Sequence, residues 1–342
     1  MGLNVAIIGA GVSGLACASE LTRHGHRVVV FEKSRGAGGR APTRWLDRES
    51  SPPLGFDHGT QYFHVRSSAF RQVIEQAVSY GVVSPWEGRV VNLSYGQKTP
   101  VQDDETRWVG TPGMASLGKF LALELNVQYD TRVTGLVRDS DQFRLTVQSG
   151  ANSGTHSAES PSELPELFDW VVSAIPCEQV SELFAEFHPP LAKEASKVKS
   201  SVNWTCMLSF DQAIPVDFDG ALVYDSPLGW ICRDSSKPGR APGERWLLQA
   251  TSDWSQAHVQ LPADKASEML IDVFRNVLGL SVTPERAVSH RWLYALPETP
   301  LDCGYYLDRK AKIAACGDWL SKARVEDAYL SGQSLASEIK SS

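Results

Sequence analysis

The first forty residues constrain this chain most. Residues 5–8 form an apolar run, Gly9, Gly11 and Gly14 follow with GxGxxG spacing, and residues 28–31 form a second apolar run that stops at Glu32. The order of strand, glycine turn, helix, strand and acidic stop predicts a dinucleotide-binding βαβ unit. Gly9 allows the tight turn, Gly11 lets backbone approach a pyrophosphate with no Cβ in the way, and Gly14 lets the helix pack closely on the sheet. Unpaired N–H groups and the positive end of the helix dipole then favour the anion. Leu15, Ala16, Ala18 and Leu21 supply the inner helix face, and Gly25 suits a left-handed stop. Glu32 stands at the ~20-residue distance expected of a carboxylate that accepts hydrogen bonds from a ribose, and a Glu there favours an unphosphorylated ribose. The motif by itself leaves FAD and NAD both open.

A chain of 342 residues suits two domains. Its net charge of −7 and pI near 5.7, with no clustering of Lys and Arg, argue against a nucleic-acid face and point to small-molecule partners. There is no run of ~18 apolar residues and no basic n-region before Val5, so the expectation is a cytoplasmic protein, neither secreted nor membrane-spanning. Six scattered cysteines without a CxxC pair argue against a disulfide framework or a metal site.

Further along, residues 149–162 are rich in Ser, Gly and Ala and predict an exposed loop capping a hairpin. Residues 132–138 and 143–147 alternate as strands, while 170–176 reads as a buried strand ending at Pro176. Helical patterns cover 69–80, 114–123, 263–278 and 327–339. The strand-rich middle, 203–292, carries Trp204, Trp230, Trp246, Trp254 and Trp292 and reads as a second domain. A last apolar strand, 312–316, stops at Gly317 and Asp318 ahead of a helix. In a two-domain flavoprotein such a strand brings its aspartate to the ribityl hydroxyls. The next helix then aims its N-terminus at the flavin pyrimidine edge, where the dipole stabilises the reduced ring.

The GxGxxG motif, Glu32, the 38–40 GGR triplet and the 317–318 GD pair together resemble the FAD signature of the flavin amine oxidase superfamily. Within it, the stretches DHGTQYF (57–63), RWVGTPGM (107–114), SSKPGR (235–240), HRWLYA (290–295) and GDW (317–319) resemble the bacterial and plastid-type renalase-like oxidoreductases. The resemblance implies an α/β fold with an α+β second domain: a Rossmann-type FAD-binding domain interleaved with a β-sheet-plus-helices substrate domain, in a p-hydroxybenzoate hydroxylase/amine oxidase-like architecture. The FAD-binding parts would be 1–68, 107–185 and 301–342, and the substrate parts 69–106 and 186–300.

The same resemblance implies a noncovalent FAD site. Val12 and Ser13 would meet the pyrophosphate, Glu32 the adenosine ribose, Arg40 the phosphates and Val133 the adenine. Gly59, Thr60 and Gln61 would lie along the isoalloxazine, and Asp318, Val325 and Glu326 would close its ribityl and pyrimidine side. Lys33, Gly39, Asp57 and His58 complete the expected cofactor set. Cys303 superficially suggests a covalent tether, but its spacing to Gly317 is too short. Tyr62, Trp230, Trp292 and Tyr294 are candidates to stack a substrate ring, with Arg233, Arg291, Lys237 and Arg240 as candidate phosphate partners. Residues 237–240 also read as a solvated turn, and His290 as a core histidine.

Renalase-type relatives oxidise 2- and 6-dihydro isomers of NAD(P)H to NAD(P)+, with hydride passing to flavin N5 and electrons to O2, giving H2O2. No side-chain base is required, because the dihydropyridine becomes aromatic on losing hydride. Two other functions fit the same motifs: an amine oxidase acting on a small amine, and a nonenzymatic flavin-binding redox protein.

Overall fold

The computed structural model describes residues 2–49, 53–94, 96–102, 105–150 and 160–339. Most of the expected 149–162 loop lies outside the described residues. At the N-terminus, β1 (Asn4–Ile8), α1 (Val12–Arg23) and β2 (Arg27–Phe31) form the expected βαβ unit, with β1 and β2 parallel and Ile7 opposite Val30. Leu15, Ala16, Ala18 and Leu21 are buried, and Gly25 takes φ 81° just past the helix.

A six-stranded sheet grows from this unit in the order Tyr305–Asp308, Ile313–Cys316, Trp170–Ser173, β1, β2, Val127–Gln128. All neighbours are parallel except the antiparallel edge strand Tyr305–Asp308. The strand Trp170–Ser173 stops three residues short of the predicted end. Pro176 has no N–H to give a ladder and instead caps the helix Cys177–Leu183. The final helix, Val325–Ile339, starts two residues earlier than its pattern suggested and crosses α1 closely. A Cβ on Gly332 would sit 2.0 Å from the Ser13 carbonyl oxygen.

The second large sheet runs Arg286–Trp292, Asn203–Phe210, Glu244–Ala250, Leu228–Arg233, Gly220–Val223, Val90–Ser94, Gln97–Pro100. The helix Ala263–Leu278 has the predicted bounds, ends at Gly279 in the left-handed conformation, and buries Leu270 and Phe274 on one face of that sheet, with Phe274 against Trp246 at 5.5 Å between ring centroids. Strand periodicity then turns Asn203, Gln249, Trp230 and Leu222 to the opposite face. The strands at 132–138 and 143–147 pair as the hairpin Thr131–Asp139/Gln142–Ser149, and a third strand, Ser162–Phe168, joins them. Its Glu- and Pro-bearing sequence hides it from a period-2 reading. No helix among the described residues is long and apolar enough to cross a membrane.

Candidate functional site

A cavity of about 1260 Å³ reaches from the N-terminus of α1, past the end of β2, to the inner face of the seven-stranded sheet. That exceeds the ~300–1,000 Å³ typical of a single small ligand. It leaves room for a dinucleotide and a second small molecule.

At the βαβ end, α1 begins without a side-chain cap, so its first-turn N–H groups remain available to an anion. A Cβ on Gly11 would find nothing nearer than Ala174 O at 4.0 Å and would project into the cradle beside Val12 and Ser13. Gly39, at φ 57°, approaches so near that its Cβ would lie 3.2 Å from Gly11 Cα. Gly14 stays off the cavity; its Cβ would meet Gly9 O at 2.1 Å, so its role is packing. Glu32 is held at the strand end by two backbone donors, Ala10 N to Oε2 and Ser34 N to Oε1, each at 2.8 Å. Lys33 and Val133 line the same end. The donor set and the bare backbone suit a diphosphate flanked by a ribose.

Further in, Arg40 and Asp318 both line the cavity and form an ion pair at 2.7 Å, and Arg40 also donates to Ala295 O at 3.0 Å. The expected phosphate cation and ribityl carboxylate thus join two segments 278 positions apart. Glu326 accepts from Arg66 N at 3.1 Å and Ser67 N at 2.5 Å, tying the start of the final helix to the helix Ser68–Ser79, with Val325 beside it on the wall.

Gly59, Thr60 and Gln61 form one wall. Thr60 bonds Arg40 O through N at 2.9 Å and Oγ1 at 3.0 Å, while Gly59 O accepts from the amides of Gln61 and Gln249, both at 2.9 Å. The facing sheet carries Trp292, Asn203, Gln249, Trp230 and Leu222 on successive strands, and Tyr62 packs on Trp230 at 5.6 Å between ring centroids. Tyr294 and Arg291 also line the cavity, Arg291 donating to Val259 O and lying over Trp204. Asn203 and Gln249 escaped the sequence reading. Their signal was parity: each alternates with residues that pack under the helix, Trp204, Cys206 and Leu208 on one strand and Trp246, Leu248 and Ala250 on the other, and so belongs to the opposite face.

Several expected site residues lie elsewhere. Arg233 is not at the cavity; it bonds Asp219 at 3.1 Å and Glu244 at 3.2 Å and covers Trp246, on the helix-packed side of the sheet. Asp57 and His58 also stay behind the wall. The Asp57 carboxylate is fully buried and accepts from Thr43 Oγ1 at 2.7 Å, Met114 N at 2.9 Å and Arg240 Nη2, with Lys237 Nζ 3.6 Å away. Lys237 is itself buried against Asp234 at 2.7 Å. Residues 237–240 are therefore neither a solvated turn nor a phosphate clamp but one half of an internal charge cluster. Burial alone would raise the Asp57 carboxyl, yet Lys237 and Arg240 hold it below the usual carboxylate range.

His58, His290 and Trp292 form a compact ring cluster with centroids 4.7–5.0 Å apart. Burial, then His290 and Arg44, push His58 down to about 3; burial and Arg44 push His290 down to about 4. Both rings are neutral in the fold, and unfolding restores a value near ~6.5. Their contribution is therefore complete above that value and disappears as pH falls towards the folded values. By pH 5 the loss is about 2 kcal/mol per ring. Thermal unfolding at pH 7.5 and 5 is expected to show this drop in the native chain and a clearly smaller one in His290→Gln. An equal drop in both would remove the rings as its cause.

The Rossmann-type unit, the second sheet and the long cavity between them define a flavin-binding oxidoreductase architecture. Comparison with protein families matches an NAD(P)-binding Rossmann-like domain over residues 7–77 and the flavin containing amine oxidoreductase family over residues 90–340. The chain belongs to the flavin containing amine oxidoreductase family, and its cofactor is FAD. In structure it is similar to a candidate protoporphyrinogen oxidase of Exiguobacterium sp. 255-15 (TM-score 0.77, 14% identity, 99% of both chains). It is also similar to cyclohexylamine oxidase of Brevibacterium oxydans (TM-score 0.73, 13% identity, 100% and 99% of the two chains). At these identities the likeness is one of fold. Among curated proteins, flavin-containing monooxygenase FMO GS-OX-like 5 of Arabidopsis thaliana is 44% identical over 72 residues, spanning 20% of this chain and 15% of that protein. The 4-hydroxybenzoate brominase (decarboxylating) of Marinomonas mediterranea is 24% identical over 156 residues, spanning 45% and 24%.

Proposed function

We propose that this chain is a renalase-like FAD-dependent oxidase of 2- and 6-dihydro isomers of NAD(P)H, with O2 as electron acceptor and NAD(P)+ and H2O2 as products. The observation that carries the reading is the inner end of the cavity, which Tyr62, Trp230 and Trp292 line together with Gln61, Asn203 and Gln249. Flat rings suit a pyridine, and neutral amides suit a carboxamide. The nearby Lys237 is committed to Asp234 and Gln61 and does not line the cavity.

FAD, when bound, supplies a two-electron acceptor. The α1 N-terminus would hold its diphosphate, Glu32 its adenosine ribose, Asp318 its ribityl chain, and the Gly59–Thr60–Gln61 wall its ring system. The sheet's aromatic side chains then have one task, to hold the substrate ring against that wall in reacting distance and to exclude water. A dihydropyridine gains aromaticity on oxidation, so its carbon needs no side-chain base.

The test is anaerobic mixing of the FAD-loaded protein with borohydride-generated NADH isomers. The flavin colour is expected to bleach within seconds and to return with H2O2 when air is admitted. Bleaching by small amines but not by the isomers would assign an amine oxidase instead; bleaching by neither would leave a flavin-binding redox protein.

A further inference from the structure

A second cavity, of about 220 Å³, adjoins the Asp57 charge cluster and shares no lining residue with the long cavity. Trp45, Pro112 and Ala241 give it apolar sides, and Arg240 and Arg245 belong to its wall. The charges around it do not balance. Lys237, Arg245 and the Arg240 side chain, none more than 4% exposed, face only two buried carboxylates, Asp57 and Asp234. Lys237 pairs with Asp234 and Arg240 with Asp57. Arg245 is left with carbonyl oxygens: Nη1 donates to Pro53 O at 3.2 Å, and Nη2 donates to Ala241 O and Pro242 O. The carboxylate that acts on Arg245 through space is Asp234, which Lys237 already holds. One buried cation is therefore in excess among the described residues.

A guanidinium carries five N–H donors. Arg245 commits three of them, and Arg240 also commits three, to Gly110 O at 2.5 Å, Pro238 O at 2.7 Å and Asp57. Two on each have no acceptor among the described residues. Pro53 and Ala241, which accept from Arg245, and Asp57, which accepts from Arg240, line the cavity as well, so both guanidinium groups stand at its wall. We infer that this cavity is a binding site for a small monovalent carboxylate, which neutralises the excess cation. Water alone would fill the space but leave the charge uncompensated, and a buried cation without a counter-charge is costly. The two oxygens of a carboxylate match a guanidinium fork, and a short alkyl chain suits Trp45 and Pro112. A divalent anion would exceed the missing charge and meet repulsion from Asp57 and Asp234. Trp45, Pro53 and Pro112 are exposed, which gives the anion a way in from solvent.

The experiment is thermal unfolding of the FAD-loaded protein at pH 7.5 in sodium propionate, against sodium chloride at equal ionic strength. About 100 mM propionate is expected to raise the midpoint by about 2–4 °C over chloride, and the rise should saturate with concentration. Arg245→Gln removes the excess charge and is expected to abolish the rise. Ala241→Glu keeps every buried charge and supplies a carboxylate from the cavity wall, so it too should abolish the rise, with a midpoint in chloride no lower than that of the native chain. A native protein that propionate does not stabilise would overturn the inference. A rise of native size in either variant would also overturn it, by assigning the effect to the salt rather than the site. Equal stabilisation by chloride and propionate, lost in both variants, would make the site one for any small counter-ion and overturn the carboxylate assignment.

Discussion

Replacing Asp57 with asparagine is expected to cost about 3–5 kcal/mol of folding stability, although the side chain keeps its size. The carboxylate is fully buried and faces Lys237 and Arg240, with Asp234 as the second anion of the cluster. Remove its charge and two buried cations share one remaining carboxylate in a low-dielectric interior, where an uncompensated charge is far more costly than a lost hydrogen bond. The bonds from Thr43 and Met114 survive in the asparagine variant, so the loss reports charge rather than shape. Asp57 titrates below its ordinary value, so its contribution is present above about pH 4 and fades only as pH falls below that. Urea unfolding at pH 7 reads the effect apart from the histidine cluster, whose pH window lies higher. A variant within about 1 kcal/mol of the native chain would show that the cluster tolerates imbalance and that the argument from burial is wrong.

The second large effect is at Gly332. In an isolated helix, exchanging glycine for alanine stabilises by roughly 0.5–1 kcal/mol. Here the added Cβ would stand 2.0 Å from Ser13 O and 3.0 Å from Cys17 N, both backbone atoms of α1 that cannot turn aside. The two helices must separate, and overpacking of this kind typically costs about 1–3 kcal/mol. Ser13 belongs to the turn that cradles the anion, so the displacement also disturbs the cofactor. Gly332→Ala is therefore expected to lower the thermal midpoint and the flavin-to-protein ratio together. Gly36→Ala, whose Cβ would meet nothing within 4 Å, is expected to change neither. A Gly332→Ala protein that gained stability would mean that the two helices part at little cost and would overturn the prediction.

These two sites also mark where reading the sequence stops. The βαβ unit was legible because each part of it is a local chemical requirement: a turn without side chains, an apolar strand, a carboxylate at the strand end. The helix Ala263–Leu278 was legible for the same reason, since its apolar period and its glycine stop both lie within the segment. Asp57, Lys237 and Arg240 were not, because charges in a Gly- and Pro-bearing stretch look alike whether they face water or each other. Their partners come from stretches some 180 positions apart. Gly332 offered no local sign at all: inside a helix it reads as a weak position, and only the crossing of α1 shows what excludes a larger residue. Arg233 misled for a simpler reason. Strand parity puts it on the face opposite Gln249, and that parity emerges only from the register with Glu244–Ala250.

The order of strands in the parallel sheet has a consequence in time. β1 lies between β2 and Trp170–Ser173, and the latter gains its other neighbour only from Ile313–Cys316. At a synthesis rate of ~5–20 residues per second, roughly a quarter to a full minute separates the appearance of β2 from that of its last parallel companion. Through that interval the glycine turn exists but the Arg40–Asp318 clasp cannot, and the outer edge of a nearly all-apolar strand is left without a hydrogen-bonding mate. The complete cradle therefore has to wait until Ile313–Cys316 and Asp318 have been made, and the nascent half-sheet is the stage at which this chain most needs protection from its own kind.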